Sequence, residues 1–314
     1  KVKTDVYNID RARNEVLEVE KRVTNFSRRL LGEKETHLPL FPDDRLDELK
    51  AGLLADCGSK YLKEWFAPRA LLEMLYYRRL IPHYEHQELL RIILSRAVRS
   101  SRLVPHYDLA TPKAPLPVGK EYWCRKHNRY CTPIDNCVTK IHTYSLDTIR
   151  RIAEFSKLRS SKSVLVIQGD SRLVNIQREL SITPMANRLI DGIFTSPPYV
   201  GQIDYHDQHI YAYELFNFQR QDELEIGPKY KGKSKQAQSD YIIGISEVLR
   251  NAQNILKDDA KIFIVANDRF NLYPEIAKRS GFKIIDQFHR AVTKRTEQGD
   301  DPYQETIFFM MKDK

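Results

Sequence analysis

The sequence has few cysteines, no long apolar run and no leader-like beginning. Four cysteines in 314 residues are too few for the disulfide framework of small secreted domains, so a reducing, cytoplasmic location is expected. No stretch reaches the about 18 apolar residues of a membrane span, so no membrane partner is expected. The first ten residues, KVKTDVYNID, contain neither an apolar core nor a small-residue cleavage site, so no signal peptide is predicted. These absences exclude the secreted disulfide-rich class and the membrane class.

The composition is that of a globular, basic protein. Hydrophobic residues make up 41% of the chain and charged residues 30%, which is too apolar for a disordered chain. The net charge of +9 favours a polyanionic partner, with nucleic acid first. Charge alone does not decide this, because many basic proteins bind no nucleic acid.

Apolar residues recur at helical spacing in the first third of the chain. Over residues 5–31 they alternate in steps of three and four, which predicts a long amphipathic helix that ends before Gly32. Prolines interrupt residues 36–44 and 105–119, so loops are expected there, with two or three helices between them. The apolar positions of the first helix are Ile9, Ala12, Val16, Val19, Val23, Phe26 and Leu30.

From residue 145 onward the pattern changes to short apolar runs separated by helical stretches. Ser145 is expected to cap a helix, and residues 164–167, 189–194 and 261–266 are expected to be buried parallel strands. A helix that begins at Asp240 comes before the third strand, and residues 283–292 and 306–311 are expected to form a closing hairpin. This order predicts an α/β fold in three parts: a helix at 1–39, a helical and loop region at 40–144, and an α/β domain at 145–314.

The turn Thr195-Ser196-Pro197-Pro198-Tyr199 directly follows one of these strands, where open α/β sheets bind ligands. Two consecutive prolines fix φ and remove two backbone donors, so the loop presents carbonyl oxygens in a fixed direction. The carbonyls and the Ser196 hydroxyl can accept hydrogen bonds from an exocyclic amino group, and the Tyr199 ring can stack on a base. Such acceptors localise the nitrogen lone pair toward a methyl donor, so the turn suits amino methylation of a base extruded from the duplex.

Three other interpretations of this turn need no enzyme. Ser-Pro-Pro is found in rigid turns and in phosphorylation sites, and Pro-Pro-Tyr is close to a WW-domain ligand. A linear ligand would lie in a polar, disordered stretch, whereas this turn ends a predicted buried strand. The nucleobase interpretation is therefore favoured.

The tetrad resembles the fourth motif of the S-adenosylmethionine-dependent DNA amino-methyltransferases, and Ser196 after Thr195 is typical of the N4-cytosine enzymes. The resemblance covers about residues 145–311, and Gly169-Asp170-Ser171-Arg172 is similar to the family's third motif. It implies a Rossmann-like methyltransferase sheet that carries the helix of residues 5–31 on its core. The helical region 40–144 is then the candidate target-recognition part.

The resemblance also implies the cofactor, the partner and the roles of individual residues. The cofactor would be S-adenosylmethionine and the partner double-stranded DNA, in a restriction-modification setting. Tyr199 would stack on the flipped cytosine, and the amino group would be oriented by Ser196, Pro197 and Pro198. The cofactor would be bound by Asp170, Ser171 and Thr195, with Asp170 at its adenine end.

One motif of the family is missing from the sequence. The family holds the methionine part of the cofactor in a Gly-rich loop, and none of the 12 glycines here forms a Gly-x-Gly. The loop is therefore expected upstream of Lys1 or on a second polypeptide, and the sheet is expected to be incomplete on its N-terminal side. Two alternatives stay open: an N6-adenine methyltransferase acting on DNA or RNA, and a non-catalytic DNA-binding subunit of a split methyltransferase.

Two further groups of residues are candidates for binding. Cys124, His127, Cys131 and Cys137 are zinc-ligand types, but their spacing is not that of a standard finger, so no metal is assigned and the stretch is interpreted as a basic, aromatic loop. Residues 201–213 are expected to line the base pocket, with no catalytic role for His206. Phosphate contacts are expected from Arg125, Arg129, Lys229, Lys231 and Lys233, although a solvated loop explains the lysines equally well.

Overall fold

The computed structural model describes residues 7–32, 45–109, 112–186, 188–291 and 304–313. The chain divides into a helical unit of residues 1–162 and 206–220 and a sheet unit of residues 163–205 and 221–314. The division falls at residue 162 rather than at the predicted 144, because helix α6 (Val138–Leu158) runs through the predicted boundary. Ser145, the predicted helix cap, is buried inside α6, so that prediction is wrong.

In the part of the chain that the structure describes, none of the helices combines the length and the apolar character that a membrane span requires. The predicted loop at residues 36–44 lies outside the described residues.

Helices and one small hairpin make up the helical unit. Its elements besides α6 are α1 (Ile9–Leu30), α2 (Leu46–Ala55), α3 (Lys60–Trp65), α4 (Pro68–Leu80), α5 (Gln87–Ser100), strands β1 (Tyr122–Cys124) and β2 (Arg129–Cys131), and α9 (Ile210–Phe216). The short helix α8 (Tyr205–Gln208) crosses the division between the units.

Helix α1 confirms the amphipathic helix predicted at residues 5–31, of which residues 5 and 6 lie outside the described residues. The Asn8 side chain caps it by accepting a hydrogen bond of 3.1 Å from the backbone N–H of Arg11. Five of its seven predicted apolar positions are buried, with Val16, Val19 and Val23 fully enclosed, and Ile9 and Leu30 at the two ends are half-buried. The structure places this face in the helical unit, against α4 and α6, instead of on the predicted α/β core. The apolar faces of α4 and α6 supply the surface that α1 covers.

A buried acid fixes the start of α6. Glu73 on α4 is fully buried, and its Oε2 accepts hydrogen bonds from the backbone N–H groups of Cys137 at 2.5 Å and Val138 at 2.9 Å. Its Oε1 accepts hydrogen bonds from Ser27 at 2.5 Å and Arg69 at 2.9 Å. The carboxylate thus satisfies N–H groups that lack intrahelical partners and complements the positive end of the helix dipole.

The sheet unit contains a mixed four-stranded sheet in the order β3-β4-β6-β5. Its strands are β3 (Ile190–Thr195), β4 (Leu256–Ala266), β5 (Phe282–Ala291) and β6 (Gln304–Lys312). β3 and β4 are parallel, and β6 is antiparallel to both of its neighbours. The predicted strands at 189–194, 261–266 and 306–311 and the closing hairpin are confirmed, while residue 292 of the predicted range lies outside the described residues. The predicted burial of the first of these strands is wrong, because no residue of β3 is buried.

Helices cover one face of this sheet. They are α10 (Lys235–Gln253) and α11 (Tyr273–Ser280), and α7 (Ile176–Ser181) precedes β3. α10 begins before the predicted Asp240, because the Ser234 side chain accepts a hydrogen bond of 3.2 Å from the backbone N–H of Ala237 and caps the helix there. Tyr241 and Ile245 of α10 are buried in one core with Ile262 of β4.

The predicted strand at residues 164–167 is wrong. The segment is in no strand, and Val164 and Val166 are 58% and 55% exposed. An apolar run becomes a strand only where a neighbour accepts its backbone hydrogen bonds. Within the described residues β3 is an edge of the sheet, and nothing pairs with residues 164–167.

Candidate active site at the end of strand β3

The predicted turn leaves the sheet where β3 and β4 end together. Thr195 is the last residue of β3 and lies opposite Ile264 of the parallel strand β4. Ser196 is exposed, the two prolines and Tyr199 are half-buried, and Val200 is buried in the core. The turn therefore lies at the carboxyl ends of two parallel strands, where α/β sheets bind their ligands.

Close packing of β3 on β4 sets the position of the turn. A side chain on Gly192 would place its Cβ 2.1 Å from the carbonyl oxygen of Lys261. After the turn, Gly201 has a φ of +65°, and a Cβ there would lie 2.5 Å from the carbonyl oxygen of Gly232. Glycine thus allows close backbone contacts on both sides of the turn.

A carboxylate on β6 holds the hydroxyl of Tyr199. The Tyr199 hydroxyl donates a hydrogen bond of 2.7 Å to Oε1 of Glu305, and Arg290 on β5 donates to Oε2 of the same side chain. Burial raises the pKa of Glu305, but the hydrogen bonds from Tyr199 and Arg290 outweigh it and lower the pKa below the ordinary value. Glu305 therefore stays ionised at neutral pH and fixes the position of the Tyr199 ring.

One tyrosine donates to the carbonyl of Pro198, and a second tyrosine contacts the first. The Tyr241 hydroxyl donates a hydrogen bond of 2.8 Å to this carbonyl, and the Tyr273 hydroxyl lies 3.1 Å from that of Tyr241. Burial raises the pKa of Tyr241 to about 12, so its hydroxyl keeps the proton that it donates. Neither contact leaves a signal in the local sequence, because Tyr241 and Glu305 are more than 40 residues from the turn.

The Ser196 hydroxyl and the Pro197 carbonyl differ from the Pro198 carbonyl in having no donor. Among the described residues, no group donates a hydrogen bond to the Ser196 hydroxyl or to the Pro197 carbonyl. Asn267 follows β4 at the same edge of the sheet, and its Nδ2 is buried without a hydrogen-bond partner in the described part of the chain. A buried donor without a partner is costly and is expected where a bound ligand completes the site. The neighbouring Asp268 instead caps α11, because its carboxylate accepts hydrogen bonds from the backbone N–H groups of Leu272 at 2.7 Å and Tyr273 at 3.1 Å.

The loop that carries Lys229, Lys231 and Lys233 lies directly beside the residues that follow the turn. The backbone N–H of Lys229 donates to the carbonyl of Ile203 at 3.2 Å, and that of Tyr230 donates to Oδ1 of Asp204 at 3.0 Å. The side chains of Lys229, Lys231 and Lys233 are exposed. The fold thus places these cations next to the candidate base site, which the sequence separation concealed.

The segment that contains Asp170 packs on helix α10, and the Asp170 carboxylate is paired with Arg172. Arg172 donates to both of its carboxylate oxygens, at 2.9 Å to Oδ1 and 2.6 Å to Oδ2, and this hydrogen bonding lowers the pKa of Asp170. Asn251 of α10 donates to the carbonyls of Ser171 at 3.0 Å and Val174 at 2.9 Å, which fixes the segment on that helix. An open cavity of about 650 Å³ lies beside them. Its lining includes Asp170, Arg172, Glu247, Arg250, Asn251 and Asn254, but none of residues 195–199.

The other predicted residues belong to the helical unit. Arg125 and Arg129 are exposed on the β1–β2 hairpin, and His206 stacks on Tyr213 with ring centroids 5.1 Å apart. Of the four candidate zinc ligands, Cys137 lies apart from the others. His106 takes its place near Cys124, His127 and Cys131.

Comparisons with known proteins give two matches. Residues 190–314 match a family described as DNA methylase. The chain is 50% identical over 256 residues to the curated protein Type II methyltransferase M.MjaII of Methanocaldococcus jannaschii. This similarity covers 79% of the chain and 48% of that protein, so the chain spans about half the length of the curated relative it matches. No solved structure matches the chain.

Proposed function

We propose that the chain, which belongs to the DNA methylase family through residues 190–314, acts in methylating the exocyclic N4 of a flipped-out cytosine in double-stranded DNA. The family covers both N4-cytosine and N6-adenine enzymes, and Ser196 after Thr195 favours cytosine. The observation that carries the proposal is the turn at the end of β3, where two acceptors and a fixed aromatic ring lie together.

We assign the amino-group contacts to Ser196 and Pro197. Their hydroxyl and carbonyl oxygens are the acceptors to which no described group donates, and together they can hold the two protons of an NH₂ group. Pro198 has a supporting role, because Tyr241 already donates to its carbonyl. The Tyr199 ring, fixed by its hydroxyl, stacks on the base. We assign the buried amide of Asn267 as a donor to the base edge.

Type II methyltransferases of this family use S-adenosylmethionine, which supplies an electrophilic methyl group on a sulfonium. The residues around Asp170 fit only its adenosine end. Arg172 donates to the Asp170 carboxylate from its backbone N–H, its Nε and its Nη2, and so occupies three of the about four acceptor positions. One position is left for a hydroxyl or amino donor, and the cavity volume is typical of a small-molecule site. Ser171 and Thr195 stay in the proposed cofactor set. No described residue is assigned to the methionine end, and neither comparison supports a second polypeptide that would supply it.

Phosphate contacts at the base site would come from Lys229, Lys231 and Lys233, and in the helical unit from Arg125 and Arg129. The three lysines are exposed beside residues 201–204, so they can bind the backbone next to an extruded base. We also infer that further strands extend the sheet at β3, which pairs with β4 alone among the described residues, into a Rossmann-like sheet.

The decisive experiment is product analysis. DNA is incubated with the chain and S-adenosylmethionine, digested to nucleosides and analysed by mass spectrometry. N4-methylcytosine is expected, and Ser196→Ala should lower its yield by about ten- to hundred-fold, which is about 1.4–2.7 kcal/mol in the barrier. Ser181→Ala is the matched control, because this hydroxyl only donates to the carbonyl of Arg178 in its own helix.

Each other outcome selects an alternative. N6-methyladenine would overturn the assignment of the base. DNA binding without product, together with no heat of S-adenosylmethionine binding in calorimetry, would support the non-catalytic subunit. An equal yield from wild type and Ser196→Ala would show that the Ser196 hydroxyl of the turn takes no part in the reaction.

A further inference from the structure

We propose that His106, Cys124, His127 and Cys131 form a structural zinc site that holds the β1–β2 hairpin in place. One ligand atom from each residue lies within 4.8 Å of all the others. The proposal does not depend on methyl transfer, because the site lies in the helical unit and involves none of the residues assigned to that reaction.

The distances in the cluster match those around a tetrahedral zinc ion. The Nδ1 of His127 lies 3.5 Å from the sulfur of Cys124 and 3.5 Å from that of Cys131. Zinc bonds of about 2.3 Å to sulfur and about 2.0–2.1 Å to nitrogen, at the tetrahedral angle, place these atoms about 3.6 Å apart. The Nδ1 of His106 is 4.0 Å from the Cys124 sulfur, so a small rotation of one ring completes the set.

The hairpin register brings the two sulfurs to one face. Tyr122 is opposite Cys131, and Cys124 lies two residues along β1 from Tyr122, so both cysteines point to the same side. The turn between the strands contains Asn128 at a φ of 51°, and the backbone N–H groups of His127 and Asn128 donate to the carbonyl of Cys124. This tight turn returns the His127 ring toward the two sulfurs.

A separate contact positions the fourth ligand. The backbone N–H of His106 donates a hydrogen bond of 2.9 Å to the Tyr122 hydroxyl, and the His106 ring lies edge-on to the Tyr122 ring with centroids 5.9 Å apart. The His106 and His127 ring centroids are 5.0 Å apart. A residue distant in sequence is thereby anchored over the face that carries both cysteines.

The hairpin has little else to stabilise it. Among the described residues from 105 to 132, Cys124 is the one buried side chain, and the Trp123 and Tyr130 rings on the opposite face are 49% and 66% exposed. A two-stranded hairpin without an apolar core is marginally stable at best, and a bound metal supplies the missing free energy.

The chemistry of the ligands selects zinc and a structural role. Two thiolates and two imidazoles suit zinc, whereas Mg²⁺ and Ca²⁺ prefer oxygen. Four protein ligands close the coordination sphere, so no position is left for a substrate or a reactive water. Cys137 is excluded, because it lies fully buried at the start of α6, where Glu73 accepts from its backbone N–H.

The test is the metal content of the purified full chain, measured by mass spectrometry after dialysis. About one zinc per chain is expected for a four-ligand site, and Cys124→Ser and Cys131→Ser should lose most of it. Cys137→Ser and Cys57→Ser are matched controls at buried cysteines outside the cluster and should retain the zinc.

A second measurement covers the case in which the ligand variants fail to fold. Co²⁺ is added to wild-type chain stripped of metal by a chelator, and the intense visible absorption of tetrahedral cobalt with thiolate ligands is expected, reversed by excess zinc. Wild type without zinc and without this absorption would overturn the proposal. So would a Cys124–Cys131 disulfide in mass spectrometry, or zinc loss on Cys137→Ser equal to that on Cys124→Ser.

Discussion

Replacement of Gly192 by alanine tests how strand packing positions the turn. The added Cβ would lie 2.1 Å from the carbonyl oxygen of Lys261, whereas real Cβ atoms essentially never come within 3.0 Å of a neighbour. Because that neighbour is backbone, no side chain can rotate away. β3 and β4 must therefore separate locally by about 1 Å, which is a large fraction of the about 4.8 Å between paired strands.

The expected loss of stability follows from this separation. Hydrogen bonds near 2.9 Å would lengthen toward 4 Å and be lost, at about 0.5–1.5 kcal/mol each. Two such bonds together with overpacking strain amount to about 2–4 kcal/mol. For a unit of this size the melting temperature should fall by about 5–15 °C. Ser196 lies four residues further on, and a displacement of about 1 Å at a reacting group costs about a hundred-fold in rate.

Thermal unfolding followed by circular dichroism measures the first effect, and methyl transfer to DNA measures the second. Gly169→Ala is the matched control in the same unit, because its Cβ would meet only Val174, at 3.7 Å. If Gly192→Ala melts within about 2 °C of Gly169→Ala, the close approach of β3 to β4 is not what positions the turn.

Three further predictions concern the turn and the helical unit. Tyr199→Ala should weaken DNA binding by about 1–3 kcal/mol through lost base stacking, whereas Tyr199→Phe should keep most of the binding free energy. Titration with DNA measures both variants, and equal losses would refute stacking. Hydrogen bonding from Arg96, first among three arginines, lowers the pKa of Asp147. The contribution of the ionised Asp147 to the free energy of unfolding should therefore be constant above about pH 5 and be lost as pH falls through the lowered pKa. In urea unfolding, the free energies of wild type and Asp147→Asn should differ at pH 7 and converge in acid. Glu73→Ala should lower the free energy of unfolding in urea by about 3–5 kcal/mol, because Arg69 and the start of α6 lose their buried acceptor. Glu73→Gln should lower it less, and equal losses would show that burial alone matters.

Local patterns in the sequence predicted several elements well. The spacing of apolar residues located α1, because burial of one face leaves a periodic trace in the chain itself, and short apolar runs located β3 and β4. The turn at Ser196 was recognisable for a related reason, since Pro197 and Pro198 restrict their own backbone whatever lies around them.

Pairing between distant residues was not predictable from the same patterns. Residues 164–167 had the composition of a strand but have no strand partner among the described residues, and Ser145 had the chemistry of a cap but lies inside α6. In each case a neighbour that the local pattern does not specify changed the role of the residue.

The sequence by itself determined helix α1, strands β3 and β4, and the rigid, acceptor-rich turn that follows β3, because these properties depend on residues within a few positions of one another. Only the tertiary structure decided that Glu305 holds Tyr199 and that His106 rather than Cys137 joins Cys124. Such contacts join residues far apart along the chain, and their geometry depends on how every intervening element folds.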